Sequence, residues 1–343
     1  MNTHKNTLFS VAVVLVLFLV GTLVAQDIKQ VQEEYQAKMD SLQQIRSKMS
    51  EPGITTEKYN QLKEDFDQLK EEIANLKEKL NQSKEYADQM NKAKVAYNQG
   101  NTYYKQGQYE QAIESYDKSI SINENNARAY HGKGLAMYRL RRYEDSIQAF
   151  QNAVEIDPNY YSAYAAMGSV FRTMREYQKS IEAYKKAIEL KPKRHTYMYN
   201  LGLVYKQAKD YDNAIKYFRM ATQVNPDYFK AYNSLGVAYM EQGNTQDAIN
   251  AFQNAISIKD DYGEAYYRLS SAYNNLKQYE QALEAAQNCL EYSRQFQGAA
   301  NFEAGIACKN LGRTQQAIDY FEAATEDRNW RKNAEYELEQ LRG

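Results

Sequence analysis

The sequence predicts an all-α protein, an α-solenoid of about seven helix pairs that follows a coiled-coil segment. Three observations predict this fold. Prolines and glycines are few, 4 and 15 among 343 residues, whereas helix-forming side chains are plentiful. Apolar residues between positions 27 and 91 recur every three or four places. Beyond residue 92, glycines, small residues and aromatic residues return with a period of 34 residues.

Residues 1–26 have the pattern of an export signal. An uncharged apolar run, Leu8 to Val24, is preceded by Lys5 and the amino terminus. Because positive residues stay on the cytoplasmic side, we expect the bulk of the chain to lie outside the cytoplasm, in the periplasm of a bacterial-type cell. Two fates fit this pattern: cleavage after Ala25, which leaves a soluble periplasmic protein, or retention of residues 8–25 as a membrane anchor.

The segment 27–91 shows two stretches of heptad-like apolar spacing, which predicts a coiled coil. The second stretch is stricter and consists of Tyr59, Leu62, Phe66, Leu69, Ile73, Leu76 and Leu80. Pro52 and Gly53 lie between the stretches and predict a helix break at 51–54. Two arrangements satisfy this pattern: an antiparallel hairpin within one chain, or a stalk that pairs with other copies and makes a homo-oligomer through 27–91.

The 34-residue period has a packing reason. Two helices that cross closely need small residues at the crossing and larger ones around it, as with Gly202 and Ala214 beside Phe218. Proline, which cannot continue a helix, ends three of the units. The columns of glycine and proline are Gly100, Gly134, Gly168, Gly202 and Gly236, and Pro158, Pro192 and Pro226.

These columns resemble the tetratricopeptide repeat family, most clearly in the stretch YAAMGSVFRTMREYQKSIEAYKKAIELKP from Tyr164 to Pro192. The resemblance implies a right-handed superhelical α-solenoid. Seven repeats fit within 93–331, at 93–126, 127–160, 161–194, 195–228, 229–262, 263–296 and 298–331. We expect residues 332–343 to form a C-terminal capping helix, on a face that contains Trp330, Ala334, Leu338 and Leu341.

No residue pattern predicts an enzyme. The three histidines lie in unlike contexts, and no phosphate loop, nucleophile motif or spaced metal-ligand set occurs. We therefore expect no catalytic residue, no metal and no cofactor. A net charge of −1 argues against a nucleic-acid partner. Two readings remain for Cys289 and Cys308, a disulfide or two buried thiols.

The resemblance also implies a binding surface, because proteins of this family hold an extended peptide or a partner protein in a concave groove lined by the first helix of each pair. Cations and tyrosines dominate that surface in this sequence, and acidic residues are fewer, chiefly Glu241, Glu264 and Glu303. We therefore expect an acidic or C-terminal peptide ligand. The predicted groove residues are Lys94, Tyr97, Asn101, Tyr104, Lys105, Arg128, His131, Tyr138, Arg139, Arg172, Tyr199, Lys206, Lys230, Tyr267 and Arg268.

Together these features predict a non-enzymatic protein–protein interaction scaffold of the cell envelope. The alternative is a periplasmic, chaperone-like assembly factor for secretion, pilus or Tol-Pal-type envelope machinery. Both functions use the same architecture, an export signal followed by a coiled coil and a repeat solenoid, so the sequence leaves the choice open.

Overall fold

The structure, a computed structural model, describes residues 28–51 and 53–342. These residues form helices and connecting turns, without a strand, and they divide into two compact units, one ending at Tyr160 and one beginning at Tyr161. The predicted export signal, 1–26, with its alternative role as an anchor through 8–25, lies outside the described residues. None of the described helices combines the length and the apolar character that a membrane span requires.

The described part of the first unit consists of one helix that precedes the repeats, a long second helix, and three helices of ordinary repeat length. Their bounds are α1 (28–49), α2 (Thr56–Lys105), α3 (Tyr109–Ile122), α4 (Ala127–Arg139) and α5 (Tyr143–Ile156). Between α1 and α2 the chain turns at Gly53, whose φ is +85°, and the Thr55 side chain accepts a hydrogen bond from the Lys58 N–H at the start of α2.

Helices α1 and α2 run side by side in opposite directions. The Lys38 ammonium lies 2.6 Å from the Glu72 carboxylate, whereas residues 30–34 near the start of α1 border a cavity with residues 79–86 of α2. On α2 the side chains of Ile73, Leu76 and Leu80 are buried. These contacts fit the hairpin alternative, and pairing with other copies of the chain stays a prediction.

Helix α2 is 50 residues long and joins the predicted coiled-coil segment to the first repeat without interruption. The sequence predicts a segment boundary between residues 91 and 93, where the apolar pattern changes. No proline or glycine occurs between Gly53 and Gly100, so nothing in the local sequence ends the helix there.

The second unit contains five helix pairs and a final single helix. Its bounds are α6 (Tyr161–Thr173), α7 (Tyr177–Leu190), α8 (His195–Gln207), α9 (Tyr211–Val224), α10 (Phe229–Glu241), α11 (Thr245–Ile258), α12 (Gly263–Asn275), α13 (Tyr279–Tyr292), α14 (Gln297–Asn310), α15 (Thr314–Thr325) and α16 (Arg331–Arg342). Helix α14 has 14 residues, whereas its counterpart α12 has 13. The additional residue explains why the last repeat begins at 298, one residue later than the 34-residue period predicts.

In four of these five pairs, a glycine of the first helix packs against an aromatic ring of the second; α12 and α13 carry Ser270 and Ala286 instead. A Cβ placed on Gly202 would lie 2.6 Å from the Phe218 ring, and one on Gly236 would lie 2.5 Å from Phe252. Both rings are fully buried. The absence of a side chain at the glycine therefore lets the two helices approach, and the ring fills the contact.

The end of the second unit differs in part from the expectation. Ala334 and Leu338 of α16 are buried in a cluster with Phe321, but the Trp330 ring lies before this helix, 4.9 Å from Phe302. Cys289 and Cys308 are buried free thiols, and burial raises the pKa of Cys289 to about 11.

Candidate functional site

We call the surface formed by α6, α8, α10, α12 and α14 the first-helix face of the second unit. Successive first helices lie beside one another along this unit, so residues 34 positions apart occupy equivalent places on neighbouring helices. Tyr199, Asn233 and Tyr267 form one such series. The face is thus a row of repeated positions whose side chains vary from repeat to repeat.

In the first unit, α2 and α4 carry the predicted groove residues. The Arg139 Nε donates to the Tyr104 hydroxyl at 3.3 Å, which links the two helices. Asn101 is held by the core, because its Oδ1 accepts from the Tyr116 hydroxyl at 2.8 Å. The predicted residues that are largely exposed here are Lys94, Lys105, Arg128 and Arg139.

The other aromatic residues predicted in the first unit pack against aromatic neighbours. Tyr97 lies 6.0 Å from Tyr116, and the His131 ring lies 5.1 Å from Tyr160. Tyr138 lies 5.9 Å from Tyr143. These three residues are half-buried, so each presents part of its ring to solvent while the rest is fixed by packing.

Two of the predicted cations of the second unit, Lys206 and Arg268, lie beside acidic residues. Lys206 is half-buried. Burial lowers the pKa of its ammonium group, and the charge of Arg268 lowers it further. The negative charges of Glu264 and Glu241 act in the opposite direction. The Arg268 guanidinium lies 3.6 Å from Glu264 and 5.6 Å from the centre of the Tyr267 ring. The charge on this face is therefore mixed, which differs from the predominantly basic groove expected from the sequence.

The remaining predicted residues of the second unit occupy separate places. Tyr199 is half-buried and lies 5.1 Å from Tyr228, and Arg172 is half-buried on α6. Lys230 is exposed, with its ammonium 6.0 Å from the centre of the Phe229 ring. Lys230 thus has the open environment of a solvated side chain, whereas Tyr199 is held by its ring contact.

Four buried polar atoms on the first-helix face have no hydrogen-bond partner among the described residues. They are Nε of Arg172, Oδ1 of Asn233, Nε of Arg268 and Oδ1 of Asn274. Asn233 is 5% exposed, and its amide nitrogen contacts the Tyr262 hydroxyl at 3.3 Å. Buried polar groups are nearly always paired, so two acceptors and two donors here call for a complementary molecule, whether water or ligand.

A cavity of about 320 Å³ opens on the same face between α10 and α12. It is lined by Val237, Met240, Glu241, Tyr267, Arg268 and Ser271. The lining combines apolar side chains with charged and hydroxyl groups, a mixture that is common at surfaces that bind other proteins. The cavity and the unpaired Arg268 Nε therefore lie in one place.

Sequence reasoning missed Asn233 and Asn274, although the period could have found them. Asn233 stands midway between the predicted Tyr199 and Tyr267, and Asn274 follows the predicted Lys206 by two periods of 34. The residues were chosen by charge and aromatic character, and a neutral amide has neither. Position within the repeat is the signal that would have included them.

The described residues hold no group of three or more His, Cys, Asp or Glu side chains placed to bind a metal. The features of the face are half-buried rings, amides and opposed charges, which are suited to recognition of another molecule.

Family comparisons agree with this arrangement. The family described as "Tetratricopeptide repeat" matches residues 127–160, 196–228, 229–262, 263–296 and 299–326, and the one described as "TPR repeat" matches 100–140 and 171–209. The matches together span more than half of the chain. The chain therefore belongs to the tetratricopeptide repeat family, whose members are typically non-enzymatic scaffolds for protein–protein interaction. No curated protein matches the chain by sequence.

Solved structures show the same fold. The C-terminal part of a TPR repeat-containing protein from Cytophaga hutchinsonii superimposes with a TM-score of 0.59 at 15% identity, covering 69% of this chain and 97% of its own. PilF of Pseudomonas aeruginosa gives 0.52 at 19% identity, covering 63% and 98%. MamA gives 0.45 at 27% identity, covering 47% and 94%. At their identities, the first two establish likeness of fold alone.

Proposed function

We propose that this chain is a non-enzymatic interaction scaffold of the cell envelope that binds a peptide or protein partner on the first-helix face of its second unit. The family supplies the general function of protein–protein interaction. The place of binding and the cell compartment are the specific parts of the proposal.

The observation that carries the proposal is the set of buried, unpaired polar atoms on this face. Asn233 and Asn274 each present an unpaired acceptor, and Arg268 presents an unpaired donor. An extended peptide carries one donor and one acceptor on each residue, so its backbone can satisfy both kinds of atom. Leaving such atoms unpaired costs folding free energy, on the order of 1–3 kcal/mol each. Binding that recovers part of this cost favours the complex.

Neighbouring side chains supply apolar contact for the same ligand. Tyr199 and Tyr267 are half-buried, and the cavity beside Tyr267 includes Val237 and Met240. Tyrosine offers a broad apolar face and a polar tip with little side-chain entropy to lose. Lys206 and Arg268, each beside an acidic residue, favour a partner with both charges over a uniformly acidic one.

The envelope assignment rests on the N-terminal sequence. The apolar run from Leu8 to Val24 after Lys5 supports export, and both of its fates place the repeats outside the cytoplasm. The assembly-factor alternative, for secretion, pilus or Tol-Pal-type machinery, uses the same face and differs in the identity of the partner.

The test replaces Asn233 with leucine in the full chain and compares partner capture after crosslinking in intact cells. Asn233→Leu removes the unpaired acceptor and leaves the Tyr262 hydroxyl its bond to Glu264 at 3.0 Å, so we expect a fold at least as stable as that of the original chain. Capture should fall at least tenfold.

The matched control is Asn250→Leu, which makes the same change at an exposed position on α11. We expect it to leave capture unchanged. Equal capture by both variants and the original chain would remove the first-helix face from the proposal.

A further inference from the structure

Glu303 on α14 is a buried carboxylate whose hydrogen-bond partners are neutral. It is 8% exposed, and its Oε2 accepts from the Asn274 amide at 2.7 Å. The Asn274 amide also donates to the Glu303 backbone carbonyl at 2.9 Å. Within the described part of the chain, Glu303 forms no salt bridge, although the ion pairs of neighbouring repeats are well formed.

The link between Glu303 and Asn274 does not require a charge on the carboxyl group. Burial raises the pKa of this carboxyl group, and the bonds from Asn274 and Ser271 only partly oppose the rise. A structural link between α12 and α14 needs an acceptor for the Asn274 amide, which a neutral glutamine also provides. A buried negative charge without a cation is costly, so its presence calls for a partner of opposite charge.

Aromatic rings cluster at this end of the first-helix face. Burial raises the pKa of the Tyr267 hydroxyl, and the charge of Glu303 raises it further. The Tyr267 ring lies 5.9 Å from Phe296 and 6.3 Å from Trp330. Phe302, next to Glu303 in sequence, lies 4.9 Å from Trp330. Aromatic faces attract ammonium and guanidinium groups.

A second acceptor lies at the same place. The Oδ1 atom of Asn274 is buried and unpaired, while the amide nitrogen of that side chain is occupied by Glu303. The site thus offers a carboxylate, an amide oxygen and ring faces. Each of these binds donors or cations, and an ammonium or guanidinium group has donors only.

We propose that the Glu303 carboxylate, the Asn274 amide oxygen and the bordering rings of Tyr267 and Trp330 form a pocket for a lysine or arginine side chain of the bound partner. The inference rests on the proposed function and names the partner's chemistry at one point of the face. At this end of the second unit the proposed ligand group is basic, whereas the sequence predicts an acidic ligand.

Trp330 is the chain's one tryptophan, so its fluorescence reports on this site alone. The probe is a pentapeptide with blocked ends and one lysine between four alanines, titrated into the full chain. Two companion peptides carry norleucine or glutamate in place of lysine. We expect the lysine peptide to change Trp330 fluorescence saturably, with an affinity at least tenfold above that of either companion.

Glu303→Gln keeps the acceptor for Asn274 and removes the charge. We expect it to weaken binding of the lysine peptide at least tenfold, while unfolding by denaturant shows a fold no less stable than the original. Glu284→Gln, a neutralised carboxylate exposed on α13, is the matched control and should bind as the original chain does.

Equal binding of the lysine and norleucine peptides overturns the cation pocket, as does full affinity in Glu303→Gln. Absence of any response in the original chain also overturns it. The scaffold function is tested separately, by partner capture with Asn233→Leu. The cation pocket can therefore fail while the scaffold function stands.

Discussion

Gly202 packs so closely against Phe218 that a Cβ on the glycine would lie 2.6 Å from the ring. Because Phe218 is fully buried, the ring cannot move aside without disturbing its neighbours. We predict that Gly202→Ala lowers the free energy of unfolding by about 1–3 kcal/mol despite alanine's better helix propensity. Denaturant unfolding measures this change. In the double variant with Phe218→Leu, the two losses should be less than additive, whereas strict additivity would show that the two sites do not share a contact.

The turn inside each repeat contains one residue with a left-handed backbone. This residue is Lys209 in one repeat, with φ +62°, and Gly243 in the next, with φ +80°. We predict that Lys209→Gly raises the free energy of unfolding by about 0.5–1 kcal/mol, because it removes the strain of a Cβ in this conformation.

Replacing the glycine of this turn by alanine tests the same backbone strain in the opposite direction. A Cβ on Gly243 meets no atom within 4 Å, so Gly243→Ala should cost about 1 kcal/mol from backbone strain alone. Chemical unfolding of both variants provides the comparison. Effects of the same sign in the two variants would refute this account of the turn.

Glu303 makes the stability of the second unit depend on pH. Burial raises the folded-state pKa of this carboxyl group above its ordinary value, so the folded state binds the proton more tightly than the unfolded state. Its contribution to stability is therefore fully present below the ordinary glutamate pKa and is lost as pH rises through the folded pKa. We predict that Glu303→Gln gains stability relative to the original chain as pH rises from 4 to 7.5. A constant difference across that range would contradict the prediction.

Lys38 and Glu72 separate the two arrangements left open for the N-terminal helices. Their side chains meet at 2.6 Å within one chain, so cysteines at both positions, joined by a short bis-maleimide, should link residues of the same molecule. We predict a product of monomer mass on a denaturing gel. A product of dimer mass formed at low protein concentration would favour the stalk of paired copies.

The 34-residue period predicted most of the fold because the positions that repeat are the positions that pack. Gly202 and Phe218 belong to two such columns, and they are in contact in the structure. The continuity of α2 goes beyond the sequence prediction, because the apolar pattern changes near residue 92 although no helix-breaking residue lies there. The left-handed turn residue was also missed, since Lys209 carries no sign of that conformation.

The site was predicted less completely than the fold. Tyr199, Tyr267 and Arg268 lie on the first-helix face, where charge and aromatic character pointed to them. Asn233 was missed because an amide gains importance only through burial without a partner, which depends on the neighbouring helices. The same is true of Glu303, whose acidity was visible in the sequence but whose lack of a cation was not.

The most direct test of the account is site-specific photo-crosslinking of the full chain in intact cells. A benzophenone side chain is placed either at Gln207, exposed at the end of α8 on the first-helix face, or at Gln223, exposed near the end of α9. We predict a discrete protein adduct from position 207 that is lost when Asn233→Leu is added, and no such adduct from position 223. The same adduct from both positions, or an adduct at 207 that is indifferent to Asn233→Leu, would contradict binding on this face.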